Sequence, residues 1–230
     1  MKGVLITRPE PGASATANRL ALLGFAPIIA PVLSIIPREV RPPDCWAATV
    51  LTSRNAVPPC PPSMHGRPVF AVGTATAAAA AEAGFSRVFN ADGDALALAG
   101  LIAHTMSPRD GTLVLASAQG QGGELAASLR QHGFRVLRRV AYQIAPVDTL
   151  PAAAASSLGD GQVAAVMFFS GETSRHFVKL LRAANLVAAI RDAEAVSISE
   201  RAAVALRPLP WRRIHVAATP NQDAMLALLQ

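Results

Sequence analysis

Residues 20–37, LALLGFAPIIAPVLSIIP, and residues 129–146, LRQHGFRVLRRVAYQIAP, share a helix end, a Gly-Phe pair, an extended run and a closing proline at a constant offset of 109. Carried backward, the same offset lays the strand VLIT (4–7) over LVLA (113–116) and the loop before the first helix over AQGQGG (118–123). A chain that writes one βαβ opening twice is built to form two similar α/β lobes. Gly24 and Gly133 stand where a helix C-terminal cap wants a left-handed residue, each followed by an extended apolar run.

The rest of the chain keeps the rhythm. Short β-like runs end in small or hydroxyl residues and lead into alanine- or leucine-rich helical stretches: VLITRP (4–9), TVLTSRN (49–55), VFAVGTATA (69–77), TLVLASAQGQGG (112–123), AAVMFFSGETS (164–174), AEAVSISERA (193–202) and RIHVAATPNQD (213–223). Strands alternating with helices imply parallel sheets covered on both faces, so two doubly wound domains of Rossmann or flavodoxin-like type are expected. The closing segments PVLSIIP (31–37) and VAYQIAP (140–146) are longer than a strand needs and end in proline; they read as crossovers. The expected organisation is a discontinuous domain, 1–34 with 145–230, and an inserted domain, 35–144, joined by a two-stranded hinge over a cleft.

Several classes of function are disfavoured. Apolar stretches are broken within about 15 residues, too short to span a bilayer, and the start MKGVLITRPEPG carries no export signal. The two cysteines, Cys45 and Cys60, suggest neither a disulfide framework nor a zinc site; a soluble protein of the reducing cytoplasm is expected. The formal charge is +6, and all but two of the 21 basic residues are arginines, Lys2 and Lys179 being the lysines. Genomic bias accounts for much of that, yet the planar guanidinium fork suits carboxylates and phosphates. Nucleic acid is not expected, because the basic residues are dispersed and a lone tyrosine offers little base stacking. The run Gly120-Gln121-Gly122-Gly123 lacks dinucleotide spacing, and the histidines show no ligand spacing, so no metal site is expected.

In doubly wound sheets ligands meet the carboxyl ends of strands, where helix N-termini offer free N–H groups to anions. The candidate loops are Thr7-Arg8, Thr52 to Asn55, Gly73 to Thr76, Ser117 to Gly123, Ser170-Gly171, Ser199-Glu200-Arg201 and Thr219-Pro220-Asn221. Small residues there permit close backbone approach and hydroxyls add donors, although Ser, Thr and Asn also serve simply as helix caps. Arg8, Arg54 and Arg201 are placed to pair with carboxylates or to sit in solvent. Glu172 and Glu200 serve either as acid or base or as charge compensation in a helix first turn. Tyr142, inside a crossover, is either a proton donor or a half-buried aromatic with its hydroxyl satisfied locally.

Taken in order and spacing, VLITRP, GFAPIIAPVLSIIP, VLTSRNAV, FAVGTATAAAA, QGQGGELAASLRQHGFRVLRRVAYQ, FFSGETSRHF, SISERAAVAL and ATPNQDAMLALL resemble the uroporphyrinogen-III synthases across nearly the whole chain. The resemblance implies a cofactor-free enzyme of tetrapyrrole biosynthesis that converts hydroxymethylbilane to uroporphyrinogen III, inverting ring D and losing water. Loss of the hydroxyl would leave an azafulvene-like carbon, and holding the tetrapyrrole folded would guide a spiro intermediate. Proximity and orientation can contribute roughly 7–11 kcal/mol to such a closure.

Carried over by motif, Tyr142 matches the tyrosine of the returning crossover and is the expected catalytic residue. Thr76 matches the threonine of the Gly-x-x-Thr-Ala loop, and Ser53 and Ser170 the strand-end serines. With Thr7, Arg8, Ser117, Gly120, Gly122, Gly171, Ser199, Glu200 and Thr219 they form the expected substrate-binding set. Two departures stand out. Ser199-Glu200 occupies a loop where other members carry a threonine pair, and Pro58, Pro59, Pro61 and Pro62 preclude the regular helix usual after TSRNAV, so that edge of the inserted domain is expected to be shortened or loosened. The expected partner is the small-molecule substrate alone; a cleft within one chain requires only a monomer, and a transient contact with the preceding pathway enzyme is compatible with it. The alternatives are a catalytically silent two-lobed homologue binding an anionic small molecule and, less favoured by the phosphate-loop spacing, a nucleotide-dependent enzyme.

Overall fold

The computed structural model describes residues 3–230; Met1 and Lys2, with which the reading of the leader begins, lie outside the described residues. In chain order the elements are β1 (Gly3–Ile6), α1 (Gly12–Leu22), β2 (Ala26–Ile29), β3 (Leu33–Pro37), β4 (Ala48–Leu51), β5 (Val69–Ala71), α2 (Thr74–Glu82), β6 (Val88–Asn90), α3 (Ala95–Thr105), β7 (Leu113–Ala118), α4 (Gly123–Gln131), β8 (Val136–Pro146), α5 (Ala152–Gly159), β9 (Val163–Phe168), α6 (Gly171–Ala183), β10 (Glu194–Ser197), α7 (Glu200–Ala203), β11 (Arg213–Val216) and α8 (Gln222–Ala227). The chain divides into two compact units, one running up to Ser34 and again from Ala145 to Gln230, the other spanning Ile35–Ile144.

The first unit holds a five-stranded sheet in the order β11-β10-β9-β1-β2, every neighbouring pair parallel. The chain starts in β1, steps to β2 on one side, then returns to β9 on the other and continues outward. The strand order therefore reverses between β1 and β9, which is where a doubly wound sheet opens its crevice. The second unit is built around β8-β7-β4-β5-β6, again parallel, with β3 beside β8 at the edge. Its reversal lies between β4 and β7.

The 109-residue repeat is exact in backbone register. Val4, Leu5 and Ile6 face Pro27, Ile28 and Ile29, while Leu113, Val114 and Leu115 face Val136, Leu137 and Arg138. Both first helices end on a left-handed glycine, Gly24 at φ 82° and Gly133 at φ 87°. The following phenylalanine N–H reaches back to the same turn, Phe25 to the Leu20 carbonyl at 3.0 Å and Phe134 to that of Leu129 at 3.1 Å. The copies part at Pro31, which separates β2 from β3; its counterpart is Val140, and β8 runs through unbroken for 11 residues.

Both sheets are sandwiched between apolar layers. In the first unit Val4, Ile6, Ala165 and Met167 face α1 and α8, while Phe168 turns the other way onto Phe177 and Trp211. In the second, Val50, Phe70, Leu113 and Leu115 pack under α3 and α4. The opposite face of that sheet corrects one expectation. The proline-rich segment after β4 is indeed not a regular helix, only two short 3₁₀ turns at Arg54–Ala56 and Pro62–Met64, but neither is it loose: Ala56, Val57, Cys60 and Met64 are buried with Trp46, Phe85 and Tyr142. The turns cover the sheet in place of a helix. Burial also pushes the Cys60 thiol up to about 12, and it donates to the Ala56 carbonyl, which makes it a packing group and not a nucleophile.

Candidate functional site

In the second unit the reversal point is an open groove of about 440 Å³ with Thr52 beyond β4 on one side and Gly120 to Gly123 beyond β7 on the other. Gly120 and Gly122 are left-handed, at φ 78° and 79°. Gly122 is also a close approach, since a Cβ there would stand 2.8 Å from Ser117 Oγ. The loop is held from inside: buried Ser117 donates to the Gln121 carbonyl at 3.1 Å, and Arg138 donates to the same oxygen at 2.7 Å. Three glycines in four residues thus present bare backbone at the start of α4.

The first unit is arranged differently at its reversal point. Arg8, following β1, lays its guanidinium 4.3 Å from the centre of the Phe169 ring that follows β9. It also donates to Gln222 Oε1, at the start of α8, at 3.4 Å. Beside it, a groove of about 340 Å³ runs between the starts of α6 and α7, lined by Ser170, Gly171, Arg175, Ser199 and Arg201. Arg175 folds back over the first turn of α6, its Nη1 3.3 Å from where a Gly171 Cβ would lie. No side-chain hydrogen bond or ion pair holds Arg175 or Arg201 among the described residues. Positive charge at a helix N-terminus is electrostatically unfavourable by itself, and with one carboxylate, Glu172, against two arginines the lining keeps a net positive charge that suits an anion.

The hydroxyls of the expected set sort by what they already do. Thr7, fully buried, donates to the Met167 carbonyl at 2.7 Å and ties β1 to β9. Ser53, Ser170 and Ser199 cap the helical turns that follow them by accepting from Asn55, Thr173 and Ala202, and Thr219 accepts from Asn221 at 3.0 Å. Glu200 is paired with Arg207 at 2.6 Å on the surface. Two hydroxyls of the set have no hydrogen-bond partner among the described residues: Thr76, in the first turn of α2, and Tyr142, on β8. Tyr142 is 5% exposed with its ring in the core. Its sequence counterpart in the repeat is Leu33, also buried, but that residue lies on β3 at the edge of the same second sheet.

Sequence reasoning passed over Gly12, Phe169, Arg175 and Gln222. Arg175 had a signal, four residues after Gly171, where a long helical side chain leans back over the preceding turn. Gly12, four residues after Arg8, stands at the same spacing, while Phe169 and Gln222 had no signal, since they join Arg8 from distant segments.

A sequence model of the family described as uroporphyrinogen-III synthase HemD matches residues 14–227. Among solved structures, a uroporphyrinogen-III synthetase from Helicobacter pylori is 16% identical, with 100% of this chain and 98% of that chain covered at a TM-score of 0.64. A uroporphyrinogen III synthase variant from Thermus thermophilus is 19% identical over 100% and 97% at a TM-score of 0.48. At such identities the Helicobacter likeness speaks for the fold. No curated protein matches the chain at a significant level, and no helix of the described residues is long and apolar enough to cross a membrane.

Proposed function

The chain belongs to the uroporphyrinogen-III synthase family, the cyclising lyases of tetrapyrrole biosynthesis, and from that premise we propose which of its residues carry the reaction. The substrate is hydroxymethylbilane and the products are uroporphyrinogen III and one water. The observation that carries the reading is the family match over residues 14–227; the open backbone at the reversal points supports the assignment of parts.

Acetate and propionate groups bind at the helix starts: Ser53, Thr76, Gly120 and Gly122 in the second unit, and Arg8, Ser170, Gly171, Ser199 and Thr219 in the first. Free N–H groups and helix dipoles offset the carboxylate charge there. Thr7 and Ser117 shape these loops from beneath, and Glu200 steadies the Ser199 loop through Arg207. Tyr142 is the proton donor. Its phenol, uncommitted among the described residues, protonates the departing hydroxyl; water leaves, and the azafulvene-like carbon that remains is attacked by ring D in a fold held by the protein. Geometry then decides the isomer, because free closure runs to the wrong one. The domains are residues 1–34 with 145–230 and residues 35–144, and the protein works as a cytoplasmic monomer.

The test is turnover of enzymatically supplied hydroxymethylbilane, followed by oxidation and chromatographic separation of the type I and type III isomers. Type III in excess is the expected result. Type I alone from a folded sample would reduce the protein to a two-lobed binder of an anionic small molecule.

A further inference from the structure

Gly12 opens α1 directly beneath Arg8, and it is buried. A Cβ on it would lie 2.7 Å from the Arg8 guanidinium carbon and 2.8 Å from Nη2, and closer still to Nε. Those atoms are the far end of a flexible side chain, so a methyl group there would evict the guanidinium and leave the backbone in place. The φ of Gly12 is not among the left-handed ones, and helical geometry therefore does not demand glycine at this position. On the far side of the guanidinium lies the Phe169 ring at 4.3 Å. At its end is the Gln222 amide, whose oxygen accepts from Arg8 while its Nε2 is buried with no partner among the described residues. An orphaned amide nitrogen is unfavourable, and this orientation leaves the amide oxygen for Arg8.

We propose that Gly12, Phe169 and Gln222 are positioning residues: the bare Gly12 makes a slot, Phe169 forms its wall and Gln222 its end, and together they fix Arg8 at the reversal point of the first sheet to receive a carboxylate of the substrate. The proposal rests on the synthase reading for its ligand and on the geometry alone for its slot. It assigns to a glycine a function that lies in the side chain of its neighbour. At Gly171 the same packing recurs beneath Arg175, but there a Cβ would also press on the Arg201 carbonyl at 3.2 Å, so Gly12 is the cleaner place to test it.

Two measurements on the full chain separate the slot from its ligand. The first is the Nε–Hε resonance of Arg8 by NMR. Wild type should show a ring-shifted signal that loses its shift in Phe169→Leu and in Gly12→Ala; an Arg8 signal unchanged in Gly12→Ala overturns the inference whatever reaction the protein performs. The second is kinetic. Gly12→Ala should raise KM for hydroxymethylbilane roughly tenfold, about the loss of one charge-assisted contact, with kcat and Tm preserved, and Phe169→Tyr, which keeps the ring, should behave as wild type. In an Arg8→Ala background Gly12→Ala should add nothing. A Gly12→Ala effect that persists in full without Arg8 overturns the positioning role. Absence of type III product from wild type would count against the synthase reading, leaving the resonance measurement to decide the slot.

Discussion

The chemistry proposed for this fold rests on one oxygen, the phenol of Tyr142. Its ring lies in the buried cluster that holds Val57, Cys60, Met64 and Ala141, so the aromatic body is explained by packing. The hydroxyl has no protein partner among the described residues, so removing it orphans nothing. Tyr142→Phe should therefore keep stability within about 0.5 kcal/mol, the range of substitutions that break no buried bond. If the phenol assists hydroxyl departure, kcat should fall roughly 10²-fold or more, the lower end of what a positioned acid supplies, and the share of type I product should rise as free closure competes. Single-turnover kinetics with isomer analysis read both. An unchanged kcat would remove Tyr142 from the chemistry and leave it a core residue.

The repeated βαβ opening turns on its caps. Gly24 and Gly133 sit at φ 82° and 87°, and a Cβ on Gly24 would meet nothing within 4 Å. Gly24→Ala is consequently a pure test of backbone strain, expected to cost about 1–2 kcal/mol with the fold retained; chemical denaturation checks it, and a loss near zero would mean that the cap does not hold its angle. These caps were legible beforehand because a left-handed residue and the extended run after it are local in sequence. Most strands of both sheets were legible for the same reason, as short apolar or extended runs local in sequence. What sequence hid was non-local or weak. Strand β6 has three residues at a sheet edge, and α3 is too uniformly apolar for a one-sided pattern to mark it. The prolines ruled out a helix after β4 but could not tell that Val57, Cys60 and Met64 would point inward and replace it. At the candidate site, loops built from adjacent Gly, Ser and Thr could be seen. The Arg8 cradle could not, because Phe169 and Gln222 lie more than 160 residues from it along the chain and meet it only when β9 pairs with β1 and α8 returns to α1, where Arg19 and Asp223 are paired.

At the scale of the whole molecule, charge is shared evenly. The discontinuous unit carries 11 basic and 8 acidic residues and the inserted unit 10 and 7, a formal +3 each. The individual grooves are mixed, with Glu172 lining one and Glu124 the other. A substrate bearing many carboxylates responds to the summed field of such a chain before it meets any one loop. That field acts over about 10 Å at 0.1 M salt and about 30 Å at 0.01 M, so its contribution to encounter should vanish as salt rises while contacts formed in the bound state persist. The expectation is that kcat/KM for hydroxymethylbilane falls roughly tenfold between low and physiological ionic strength, that KM carries most of the change, and that kcat moves little. Steady-state kinetics across a sodium chloride series measure this directly. A kcat/KM independent of salt would assign recognition to the short-range donors at the helix starts, and the arginine-rich composition would then reflect genomic bias with no part in capturing the substrate.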